Sequence, residues 1–94
     1  MTLEEEAKRG TMARTLLEHE LFIETFSVLE RRYYDIWRET DAADTEQRER
    51  LFRLSTALAD VRGHIEKVAQ DGDLATRQIE DLHGRRPRMF GPSR

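Results

Sequence analysis

The sequence predicts an all-α fold: a long antiparallel helical hairpin of coiled-coil character, with a short third helix, an irregular C-terminal tail and an oligomeric state. Three observations predict it. Counting by three and four from Leu51 lands on Leu51, Leu54, Leu58, Val61, Ile65, Val68, Gly72, Ala75, Ile79 and Leu82, and only Gly72 in that series lacks an apolar side chain. A 3-4 spacing puts all of them on one helix face, because 3.5 residues lie close to the 3.6-residue turn. A second such series precedes it, and a five-residue stretch of turn and cap residues joins the two. Connections that short set consecutive helices antiparallel.

Residues 1–10 form an acidic N-terminal segment opening Met1-Thr2-Leu3-Glu4-Glu5-Glu6. The first helix is expected from Thr11, a residue able to cap it, with Gly10 marking a break just before. Met12, Thr15, His19, Phe22, Phe26, Leu29, Tyr33 and Ile36 then keep the 3-4 spacing, and Leu16, Ile23 and Trp37 widen the stripe to about three positions in seven, the width of a core-facing helix. The pattern decays at Glu39-Thr40. Asp41-Ala42-Ala43-Asp44-Thr45 is the turn, and Asp44 followed by Gln47 fits a capping pair. The second helix follows. A first arm over residues 11–39 is roughly 43 Å long and residues 46–70 roughly 37 Å. That match, together with Gly72 as a C-cap and Asp73 as a new N-cap, predicts a break at Gly72 and a short third helix to Leu82. His83-Gly84 ends the helical part and Pro87 opposes its return. The chain thus divides into the segment 1–10, a helical oligomerisation domain over 11–82 and a tail over 83–94.

The residues expected to pack the helices and the oligomer are Phe22, Phe26, Leu29, Tyr33, Trp37, Leu51, Leu54, Leu58, Val61 and Ile65. Leu17, Leu21, Val28, Tyr34 and Phe52 lie off these stripes. Helices apolar over more of their circumference than one partner covers are expected to be buried on two faces, and a second copy supplies the other cover. Composition agrees: apolar and charged residues each make up 37% of the chain, a thin apolar supply for a lone small domain.

Charge is unevenly placed. Residues 1–82 hold 12 Lys/Arg against 19 Asp/Glu, whereas 83–94 hold four arginines and no acid. Arg85, Arg86, Arg88 and Arg94 with Phe90 are the candidate partner-binding residues. Arginine supplies charge-assisted hydrogen bonds and an aromatic fills a pocket, so the expected target is an acidic protein surface or a nucleic-acid backbone.

Catalytic and cofactor readings find no support in the residues. There is no cysteine, which removes thiol nucleophiles and Cys-based zinc sites. Glu18-His19-Glu20 and His64-Ile65-Glu66 lack the i, i+4 histidine pairing of helical zinc sites, and His19 falls in the apolar stripe as a packing residue. Asp71-Gly72-Asp73 lacks the alternate carboxylates of a calcium loop. The serines have no base and acid beside them, the glycines are isolated, and Arg31, Arg32, Arg48 and Arg62 fall on the polar side of the helices. No catalytic, cofactor or metal residue is assigned and no enzymatic activity is expected. No apolar run approaches the ~20 residues of a membrane span. The expected location is the cytoplasm, that of the host if a phage encodes the chain.

The stretch from Trp37 to Phe52 (Trp37-Arg38-Glu39-Thr40-Asp41-Ala42-Ala43-Asp44-Thr45-Glu46-Gln47-Arg48-Glu49-Arg50-Leu51-Phe52), continued by Ala57-Leu58 and Val61, resembles small helical proteins of the head and packaging regions of tailed phages and gene transfer agents. The likeness spans Trp37 to Leu82, and the nearest functional counterpart is the small terminase subunit. The resemblance implies a ring-forming helical hairpin whose terminal tail engages a large terminase or a head protein. This chain departs from many such proteins in lacking a recognisable N-terminal DNA-binding domain. A cellular helical adaptor or regulator forming a homo-oligomeric bundle is the other reading of the same residues.

Overall fold

The computed structural model describes residues 1–90, with side chains through residue 84. Three helices account for nearly all of it: α1 (Leu3–Glu18), α2 (Glu20–Glu39) and α3 (Thr45–Phe90), with no strand among the described residues. The molecule is elongated, 77 × 24 × 22 Å.

α1 starts eight residues earlier than the position of Thr11 predicts. Thr2 is the cap: its hydroxyl accepts from the Glu5 N–H at 3.1 Å, and its own N–H donates to the Glu5 carboxylate at 3.0 Å. This reciprocal box satisfies two donors that a helix start otherwise leaves open, and Glu4, Glu5 and Glu6 complement the positive end of the helix dipole. The acidic segment 1–10 is therefore mostly helix. Thr11 sits inside it, its hydroxyl donating back to the Ala7 carbonyl at 3.2 Å.

His19 divides the first arm. Its backbone is extended (φ −69°, ψ 127°), its N–H donates to the Leu16 carbonyl, and its Nδ1 accepts from the Leu21 N–H at 3.1 Å. One residue thus ends α1 and caps α2. It is exposed and not a packing residue, which corrects the expectation from the stripe. The interruption also corrects the phase. Leu3, Glu6, Ala7, Gly10, Ala13 and Leu17 are the buried or half-buried residues of α1, while Met12 and Thr15 are exposed. Phe22 then follows Leu17 by five positions. An unbroken helix would turn ~140° off axis over that gap, and the extended residue restores the inward direction for Phe22, Phe26, Leu29 and Tyr33.

The connection uses the residues expected of it. Thr40 ends α2, the Asp41 carboxylate accepts from the Ala43 N–H at 3.1 Å, and the Asp44 carboxylate accepts from the Gln47 N–H at 3.2 Å, capping α3. The chain folds back here. Contacts then pair Thr40 with Arg48, Glu30 with Arg62, Arg14 with Asp73 and Gly10 with Gly72.

α3 is one helix of 46 residues, roughly 69 Å at 1.5 Å per residue. No break occurs at Gly72, and the separate third helix is absent. Two reasons are visible. The first arm begins at Leu3, so it has length enough to accompany α3 to the level of Ile79. And Gly72 is buried against Gly10: a Cβ added at Gly10 would lie 2.5 Å from the Gly72 Cα. Both glycines, read as helix breakers, are instead where two backbones touch, a use of glycine that depends on its missing side chain. α3 also passes Gly84 and Pro87 to Phe90, where irregular structure is expected from the sequence. Helical backbone runs through both positions, although a proline inside a helix removes an N–H donor and crowds the carbonyl four residues earlier.

The interior is thin. Among the described residues, Ala13, Phe26, Leu51, Ala69 and Ala75 are the buried apolar ones, three of them alanines.

Candidate functional site

The helices leave two unlike flanks, set by the ~100° turn per residue. On one flank of α3 lie Arg48, Phe52, Ser55 and Arg62, facing Glu30, Tyr34 and Trp37 of α2. Arg48 stacks over the Trp37 ring at 4.1 Å and donates to the Thr40 hydroxyl at 3.0 Å. Arg62 lies over the Phe26 ring at 4.8 Å and reaches Glu30 at 3.4 Å. Further along, Arg14 pairs with Asp73. Arg48 and Arg62, expected on the polar side, are half-buried because their guanidinium groups lie against aromatic faces. This flank is stitched together by arginines. Near the turn it also carries an aromatic hollow lined by Tyr33, Tyr34, Trp37, Leu51, Phe52 and Ser55, with Arg38 over the Tyr34 ring at 5.9 Å.

The opposite flank is aliphatic. Met12 and Leu16 of α1 and Ile65 and Val68 of α3 line a shallow groove, with Arg9 and His64 at its rim. The strip continues toward the turn through Val61 and Leu54, which are 52% and 40% exposed.

Of the residues expected to pack, Phe26 and Leu51 are buried and Phe22, Leu29, Tyr33, Leu58 and Ile65 half-buried, whereas Trp37, Leu54 and Val61 remain exposed. Phe22 and Phe26 pack ring against ring at 4.6 Å. Reasoning from large apolar residues misses the small ones at the tightest crossing: Gly10, Ala13, Ala69, Gly72 and Ala75. A signal for some of them was present, since Gly72 and Ala75 stand in phase with the α3 series.

The side chains of Arg85, Arg86, Arg88 and Phe90, and Arg94 altogether, lie outside the described residues, so the tail's expected role has no geometry here. Among the described residues no cluster of three His, Asp or Glu side chains is placed to hold a metal ion, and no helix is long and apolar enough to cross a membrane. Glu5 has its carboxyl held below the ordinary value by the hydrogen bonds from Thr2, a capping effect at an exposed helix start. What this surface offers is contact area. No family model, curated protein or solved structure matches the chain.

Proposed function

We propose that this chain is a non-enzymatic assembly protein: a helical hairpin that self-associates through its side surfaces and presents its arginine-rich C-terminal segment to a larger partner. One observation carries the reading. Among the described residues fourteen large apolar ones are exposed, Met12, Leu21, Ile23, Phe52, Val61 and Leu74 included, beside five buried apolar ones. Isolated exposed apolar residues are ordinary. Rows of them along both arms, over an interior made largely of alanine, mark surfaces that other chains cover.

The setting proposed for this assembly is DNA packaging or head assembly in a tailed phage or gene transfer agent, in the manner of a small terminase subunit docking on a large one. Support comes from the resemblance over Trp37 to Leu82 and from the segregation of four arginines beyond residue 82. The test has two parts. A large-terminase or portal gene beside the coding gene is expected, and its purified product should co-migrate with this chain and lose it on truncation after Gly84. Binding that survives truncation overturns the role of the tail. A neighbourhood without packaging genes favours the cellular adaptor.

A further inference from the structure

Resting on the self-association just proposed, we infer which face a second copy takes and how it sits: two-fold related and antiparallel on the aliphatic flank, with its axis passing beside Val61. The arginine-stitched flank stays outside this contact.

The reason lies in the periodicity of α3. Its apolar series splits into two strict heptads. Leu51, Leu58, Ile65, Gly72 and Ile79 are buried or half-buried, under cover of the first arm. Leu54, Val61, Val68, Ala75 and Leu82 form the other. α1 covers Ala75 and half-covers Val68, but Leu54 and Val61 stay open. A sustained period of seven is a seam for a further helix. The stretch nearest the turn, Leu54-Val61-Val68, open at its first two positions and half-covered at the third, is symmetric about Val61, so a two-fold axis there sets Leu54 against Val68 and Val61 against its own copy. Met12 and Leu16 extend the patch on α1, and Leu16 lies in the same groove as Val68, which places it to meet Leu54 of the second copy. An isologous contact requires such self-complementarity.

Size and charge fit as well. The strip runs from the level of Leu51 to that of Asp71, about 30 Å, across two helices of about 10 Å each. That offers on the order of 600 Å² per copy, at the lower end of a specific interface. At the turn, Glu39, Asp41, Asp44 and Glu46 surround a single arginine, Arg50. Further along the same flank Arg9, His64 and Lys67 stand with Glu6 and Asp71, and Lys67 is paired with Asp71. Antiparallel seating keeps the two acidic turns apart, whereas parallel seating sets one against the other. Covering the other flank instead would strip water from Arg14, Arg48 and Arg62, already engaged within their own copy.

Because the chain has no cysteine, single reporters test this directly on the full-length protein. Val61→Cys should oxidise to a disulfide-linked dimer at micromolar protein, since a residue on the axis meets its own copy within disulfide reach. Phe52→Cys, on the stitched flank, should not. Val61→Glu should weaken self-association at least about tenfold while circular dichroism stays helical, because two carboxylates would face each other across the axis. Phe52→Glu should leave it unchanged. Crosslinking of the Phe52→Cys variant and not of the Val61→Cys variant overturns this seating while leaving self-association standing. So does an oligomer that Phe52→Glu dissociates and Val61→Glu does not. A parent chain that remains a single copy overturns both.

Discussion

A methyl group at residue 72 has no room. Its nearest neighbours are backbone atoms of α1, which cannot rotate aside. Gly72→Ala should therefore destabilise the chain by roughly 1–3 kcal/mol, the range for forcing volume into a packed site, although alanine is intrinsically the better helix former. Gly63→Ala provides the contrast: nothing lies within 4 Å of that position, so only the propensity gain of about 0.5–1 kcal/mol should appear. Thermal melts of the two variants moving in opposite directions would establish the close crossing; two upward shifts would remove it. Phe26, 7% exposed and packed on Phe22 and Arg62, is the largest side chain of the buried set. Phe26→Ala should cost roughly 3–5 kcal/mol, enough in so thin an interior to abolish a cooperative melt. Large apolar residues such as Phe26 and Leu51 were legible because their spacing alone assigns them to a helix face. Gly10 and Gly72 were not, since a glycine at a break and a glycine at a backbone contact look alike until the opposing helix is known.

Helix ends were legible wherever a side chain does the capping locally, as at Asp41 and Asp44. The start of α1 was equally local, Thr2 and Glu5 three apart, but lay hidden among acidic residues that read as a solvated segment. Its consequence is measurable. The Thr2 hydrogen bonds stabilise the charged form of Glu5, so its carboxyl titrates below the ordinary 4.5. A lowered folded value means the cap's contribution is complete above that ordinary value and is lost as pH falls through the lower one. Titration by NMR should show Glu5 below 4.5, and Thr2→Ala, which keeps the backbone donor and removes the hydroxyl, should bring it only part of the way back. An unmoved Glu5 would mean the box does not form in solution. The break at His19 escaped sequence reasoning for a different reason. Histidine carries no strong stop signal, and the five-position step from Leu17 to Phe22 becomes visible only once the inward face of α1 is known.

Taken whole, a rod 77 Å long and little more than two helices thick cannot hide its apolar residues from water by itself. The all-helical, elongated form followed from the 3-4 periodicity, while the division into an aliphatic and an arginine-stitched flank required knowing which residues each arm turns inward. That division gives the proposed self-association a place to happen. The mass in solution tests self-association most directly. Light scattering at micromolar concentration should give a multiple of 11.1 kDa, falling toward one copy on dilution in step with a loss of thermal stability. A sharp mass of 11.1 kDa with full helicity and a cooperative, concentration-independent melt would contradict it.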